Sequence, residues 1–173
     1  ITEAKDSMLY LENISLNGPV KIDSVKLGED GTFDFQENAM DSITPEFYRL
    51  RIANQTINLS IDSTETVTVK AAYPQMSYKY EVEGSENCNT IKELSLKQML
   101  LQSNINGIVK NPNIGVDSVD VIVTRMLNEY KQDIKTNYIF KAPMQASSYY
   151  ALFQTIQLGN TNSLIFNPRN NKE

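Results

Sequence analysis

Histidine is missing altogether from this chain, and cysteine occurs once, at Cys88. Without histidine there is no Ser-His or Cys-His nucleophile pair and no His-ligated metal site, and the commonest general base is gone. A single cysteine excludes an internal disulfide and any CxxC couple. The glycine-rich spacings GxGxxG and GxxxxGK[ST] do not occur either, so the usual phosphate-cradling loops are absent. No apolar run approaches the ~20 residues of a membrane-spanning helix, and no signal peptide is legible. A net charge of −5 with both signs scattered argues against nucleic acid and anionic membranes as partners. The 21 Asp and Glu are dispersed, and none sits in an apolar stretch that would raise its pKa. No catalytic residue, metal or cofactor is expected of this chain.

What is present is alternation. From Pro45 to Val69, Tyr48, Leu50 and Ile52 alternate with Arg49 and Arg51, and Ile57, Leu59 and Ile61 alternate with Asn58 and Ser60. Period-two patterning is the signature of strands with one buried face, and the short polar breaks predict antiparallel neighbours. Upstream, Ile1–Ala4 and Met8–Leu11 read as extended. Val20–Leu27 carries a parity slip at Asp23-Ser24 that predicts a bulge. Gly28-Glu29-Asp30-Gly31 predicts a hairpin returning into Thr32–Phe35. Met76, Tyr78, Tyr80 and Val82 complete about seven short strands, the pattern of an antiparallel β-sandwich or open barrel.

At Gly84-Ser85 the period changes. Ser85 is a good helix N-cap, and Cys88, Ile91, Leu94, Gln98, Leu101 and Ile105 share one face of a helix expected to end at Gly107. Asp117 is placed to cap a second helix, striped by Val119, Ile122, Met126, Tyr130 and Ile134. A third helix carries Tyr149, Tyr150, Leu152, Phe153 and Ile156 and stops near Gly159. The predicted class is α+β: residues 1–83 an antiparallel β domain, residues 84–173 a three-helix connector.

Few residues invite a functional reading. Arg49 and Arg51 could hold a carboxylate, and with Tyr78 and Tyr80 they form a candidate binding surface. Tyr73 and the pair Tyr149-Tyr150 belong to the same class of stacking candidates, although such tyrosines usually pack with the hydroxyl at the rim. Cys88 lies near a helix N-terminus but on the apolar stripe, which reads as core. Five of nine Asp residues are followed by Ser, where 14 Ser in 173 residues would give fewer than one by chance. Turn chemistry accounts for individual pairs such as Asp62-Ser63, not for the excess.

Taken with their order and spacing, Ile22–Leu27, Asp30–Phe35, Pro45–Ile52, Ile61–Ser63 and Val82–Asn87 resemble a known family. It is the amino-terminal domain of unknown function that precedes a thioredoxin-like, TlpA- or ResA-type domain in cell-envelope proteins of gut anaerobes. The resemblance implies a non-catalytic module that positions a thiol-disulfide oxidoreductase or recognises its client. Its partners would be its own downstream thioredoxin-like domain and a client protein. The family's CxxC lies in that downstream domain, so no catalytic residue carries over to these positions. Export to the periplasm or outer envelope, as a lipoprotein, is implied as well. So is O-glycosylation at Asp-Ser followed by an apolar residue or Thr, which designates Ser7, Ser24, Ser42, Ser63 and Ser118. The alternative is a β-sandwich that binds a glycan or small ligand on its own account.

Overall fold

The computed structural model describes residues 1–15, 17–36 and 46–167. Within them lie eight strands, all in antiparallel sheets, and three helices, an α+β chain. No sheet among the described residues closes into a barrel. The chain's contacts group into two units, Ile1–Lys92 and Glu93–Glu173.

The first unit is built on a four-stranded sheet in the order β2-β1-β3-β4. Its strands are β1 (Met8–Ser15), β2 (Gly18–Lys26), β3 (Glu46–Ile52) and β4 (Gln55–Ile61). The expected alternation places the core: Tyr48, Leu50, Ile52, Ile57 and Leu59 are buried with Leu9 and Leu11 on one face. The β1–β2 register shifts between Leu11, opposite Asp23, and Glu12, opposite Lys21, so Ile22 is the extra residue of a bulge. That is one position from the parity slip, and it sets Lys21 rather than Ile22 across from Glu12. A second, two-stranded sheet pairs β5 (Thr68–Ala71) with β6 (Tyr80–Glu83).

Three strand expectations need correcting. Ile1–Ala4 is not a strand; Thr2 forms only an isolated bridge with Ala72. The Gly28–Gly31 turn forms, with the Thr32 N–H and hydroxyl both donating to the Asp30 carboxylate, but Thr32–Phe35 pairs with no strand. Its Phe33 and Phe35, ring centroids 5.7 Å apart, pack onto the core instead. Residues 74–79 run as turns and bends, so only the end of the expected Met76–Val82 strand exists.

Gly84 joins β6 to the first helix at φ +95°, and a Cβ there would stand 2.1 Å from the Thr66 carbonyl oxygen. Only glycine fits both constraints. Ser85 then caps α1 (Glu86–Val109), its hydroxyl accepting the Cys88 N–H at 3.2 Å.

In the second unit α1 runs through Gly107 to Val109, because its ladder continues to the Lys110 N–H on the Asn106 carbonyl. Asp117 does not cap α2 (Val116–Ile134); the N-cap is Gly115, and Asp117 sits in the first turn. A π-helical turn, Lys135–Ile139, extends α2. The third helix is shorter than expected, α3 (Ala146–Leu152), and buries Ala146, Ser147, Ser148 and Ala151 rather than its aromatic residues. The remainder of that expected helix is a strand, β7 (Thr155–Leu158), which turns at Gly159 and pairs with β8 (Thr161–Leu164). Leu94, Leu101, Ile105, Tyr130, Ile134 and Ile156 are central to this unit's core.

Candidate functional site

Arg49 and Arg51 do find a carboxylate, and it belongs to the same face of the same sheet. Glu12 lies opposite Arg49 across β1–β3, and Tyr10 lies opposite Arg51. Arg49 Nε donates to Glu12 Oε2 at 2.7 Å and Arg51 Nε to Oε1 at 2.8 Å, while Glu12 is only 5 % exposed. Burial pushes the Glu12 carboxyl upward, but hydrogen bonds from Arg51 and Arg49, and their charge, outweigh it and hold the group below its ordinary value. The Arg51 guanidinium also stacks 4.5 Å from the centre of the Tyr10 ring, with the Lys21 ammonium 5.1 Å away. The two arginines are thus engaged by a carboxylate that sequence reading passed over: Glu12 sits between Leu11 and Asn13 with nothing in its neighbours to mark it.

The tyrosines of the candidate surface part company. Tyr78 is 49 % exposed in the turns before β6. Tyr80 is buried on β6 in the other sheet, with the Lys92 ammonium 5.3 Å from its ring centre. Tyr73 packs half-buried against the first core. In the second unit Tyr149 stacks on Phe153 at 4.8 Å, and the Tyr150 hydroxyl bonds Ser95 Oγ at 2.9 Å.

Cys88 is fully buried in the first core, its thiol donating to the Ser60 carbonyl at 3.1 Å. Burial pushes the thiol pKa up, against smaller opposing effects of its bonds to Ser85 and Ser60. A thiol so placed is a poor nucleophile. Of the Asp-Ser serines, Ser63 in a turn and Ser118 in the first turn of α2 are exposed. Ser7, just ahead of β1, and Ser24, within β2 and opposite Tyr10, are half-buried. Ser42 lies outside the described residues.

One further site was not legible beforehand. A cleft of about 680 Å³ opens over the core face of the four-stranded sheet. Leu11, Leu50 and Leu59 form its floor, Phe33, Phe35, Val67 and Val69 its walls, and Asp34, Asp62 and Glu65 stand among its polar lining. Its volume falls in the range of small-molecule sites. The only hint in the sequence was the Phe33-Asp34-Phe35 alternation after the Asp30-Gly31 turn. Joining it to residues 61–69 takes a folded chain.

Among the described residues no group of three or more Cys, Asp or Glu is arranged to hold a metal ion, and no helix is long and apolar enough to cross a membrane. A family model described as a domain of unknown function, DUF4369, matches residues 1–90, just over half the chain. No curated protein and no solved structure matches.

Proposed function

The chain belongs to the DUF4369 family of domains of unknown function, and from that premise we propose that it is a non-catalytic module of a cell-envelope thiol-disulfide oxidoreductase. In this reading its β unit is a sandwich-like domain, and its helical unit connects to a downstream TlpA- or ResA-type thioredoxin-like domain. The module positions that domain or recognises its client, and the whole is exported as a lipoprotein. The observation that carries the non-catalytic part is the setting of Cys88, buried and hydrogen-bonded to Ser60, with its pKa raised. An insulin-reduction assay on the isolated chain is expected to show no turnover. Turnover that disappears in Cys88→Ala would overturn it. The context is tested by the intact polypeptide of the source organism: a CxxC-bearing domain after Glu173 is expected, and a polypeptide without one overturns the module reading.

Export carries a second test. Ser63 and Ser118 present exposed hydroxyls, the condition for transfer of an O-glycan. Intact mass of the native protein above that of the bare polypeptide is expected, and equality of the two would reduce the Asp-Ser pairs to turn chemistry.

A second reading is favoured by one observation, the cleft over the sheet: the β unit binds a small ligand on its own account. The two are compatible if the module senses a ligand beside its reductase.

A further inference from the structure

The cleft has apolar and polar lining together, with Gln36, Ser63 and Thr66 beside its acids. Leu11, Leu50 and Leu59 on its floor are each at most 6 % exposed, and the wall residues Phe33, Phe35, Val67 and Val69 are half-buried. Every charged side chain that lines it among the described residues is a carboxylate: Asp34, Asp62 and Glu65. Asp62 is fixed in its turn by the Thr64 hydroxyl and N–H at 2.6 and 2.8 Å, bonds that hold its carboxyl below the ordinary range and therefore charged. The Glu65 carboxylate accepts the Asp62 N–H at 3.2 Å, which keeps the two acids together.

These surroundings discriminate among ligands. An anionic amphiphile would meet like charge as it entered. An apolar body with a positive head would gain from both, because the apolar lining meets the body and the three acids attract the head. We propose that this cleft binds a small amphiphile with an apolar chain or ring and a cationic ammonium or guanidinium head. The proposal rests on the ligand-binding reading above and names its ligand class.

The test is an NMR titration of the whole chain with octyltrimethylammonium, octanoate, octanol and tetramethylammonium, each below its micelle concentration. Saturable shifts at Phe33, Leu59 and Val67 are expected for octyltrimethylammonium, with octanoate weaker by about tenfold or more. Tetramethylammonium, which lacks the apolar body, is expected to leave those residues unmoved. Asp34→Asn, a change at an exposed position, is expected to weaken the octyltrimethylammonium interaction about two- to fivefold. Val67→Phe, which fills the cleft, is expected to abolish it. Equal affinity for octanol and octyltrimethylammonium would overturn the cationic selectivity while leaving a ligand-binding cleft. Absence of saturable shifts there with all four compounds would overturn both.

Discussion

The two units hold their strands by different means. In Ile1–Lys92, β1 and β3 lie between strand neighbours, and alternate side chains bury a continuous apolar face. In Glu93–Glu173 the hairpin β7–β8 is a two-stranded sheet whose further partners are side-chain amides. Gln98 Nε2 donates to the Thr155 carbonyl at 2.6 Å. One turn along α1, Gln102 bonds both the N–H and the carbonyl of Gln157, at 2.8 and 2.9 Å. Gln154, 5 % exposed, accepts the Tyr130 hydroxyl at 2.7 Å and donates to the Leu94 carbonyl at 2.9 Å. Strands of the first unit's main sheet are therefore held by neighbouring ladders and a shared apolar face, while the hairpin of the second adds side-chain amide bonds to its own short ladder.

The sharpest break in the first unit is a backbone one. Gly84→Ala would force a Cβ against the Thr66 carbonyl at a positive φ, and a loss of about 3 kcal/mol or more is expected from urea denaturation. A loss under about 1 kcal/mol would show that the Thr66 segment gives way.

Next comes the buried charge. Glu12→Gln leaves Arg49 and Arg51 without their carboxylate, and a loss of about 2 kcal/mol is expected, discounted for the partial exposure of both arginines. The pH dependence has a definite sign. The folded carboxyl lies below its ordinary value of 4.5, so its contribution is present above that value and disappears as pH falls through the folded one. Urea midpoints measured from about pH 6 to 3 should fall less steeply in Glu12→Gln than in the parent chain. Identical acid slopes would remove Glu12 from the account.

In the second unit Gln154→Ala strands the Tyr130 hydroxyl and removes the second bond to the Leu94 carbonyl, which keeps its helical partner, and about 1.5 kcal/mol is expected. Tyr130→Phe should cost less, because it leaves only one side-chain acceptor to satisfy. The reverse order would contradict the bonding described here.

The smallest effect sharpens the contrast most. Gln102→Ala is expected to cost about 0.5–1 kcal/mol, read as faster amide exchange in residues 155–164 with no change in residues 46–61. Equal acceleration in both would show that the amide clamp is not local to the hairpin.

How much of this the sequence disclosed follows the same division. Alternation of Tyr48, Leu50 and Ile52 with arginines was enough to place β3, and the Cys88–Ile105 stripe enough to place α1, because burial recurs at the period of the element. Bonds between distant side chains have no period. Gln98 stood in an apolar stripe with no visible reason, and the reason is a carbonyl 57 positions away. Leu152, Phe153 and Ile156 fit a helical spacing, yet the turn at Gly159 and pairing with Thr161–Leu164 make residues 155–158 a strand. Thr32–Phe35 had strand composition and a good turn before it, but found the core face rather than a sheet edge. Glu12 looked like an ordinary outward residue until its two arginines were beside it. The cleft draws on four separated segments, around Leu11, Phe33, Leu50 and Leu59–Val69, and alternation links only the last two.

The bulge at Ile22 bears on how this molecule behaves in a crowd. β2 is the outer strand of its sheet, and an outer strand offers unpaired backbone groups to any neighbour. Pro19 removes one donor from that row, and the extra residue divides it into Gly18–Lys21 and Asp23–Lys26, stretches too short to template a long ladder. Val20 and Ile22, 56 % and 40 % exposed, would otherwise make this an adhesive edge. One surplus residue, across from Leu11 and Glu12, thereby breaks the regularity that edge-to-edge growth from one molecule to the next needs.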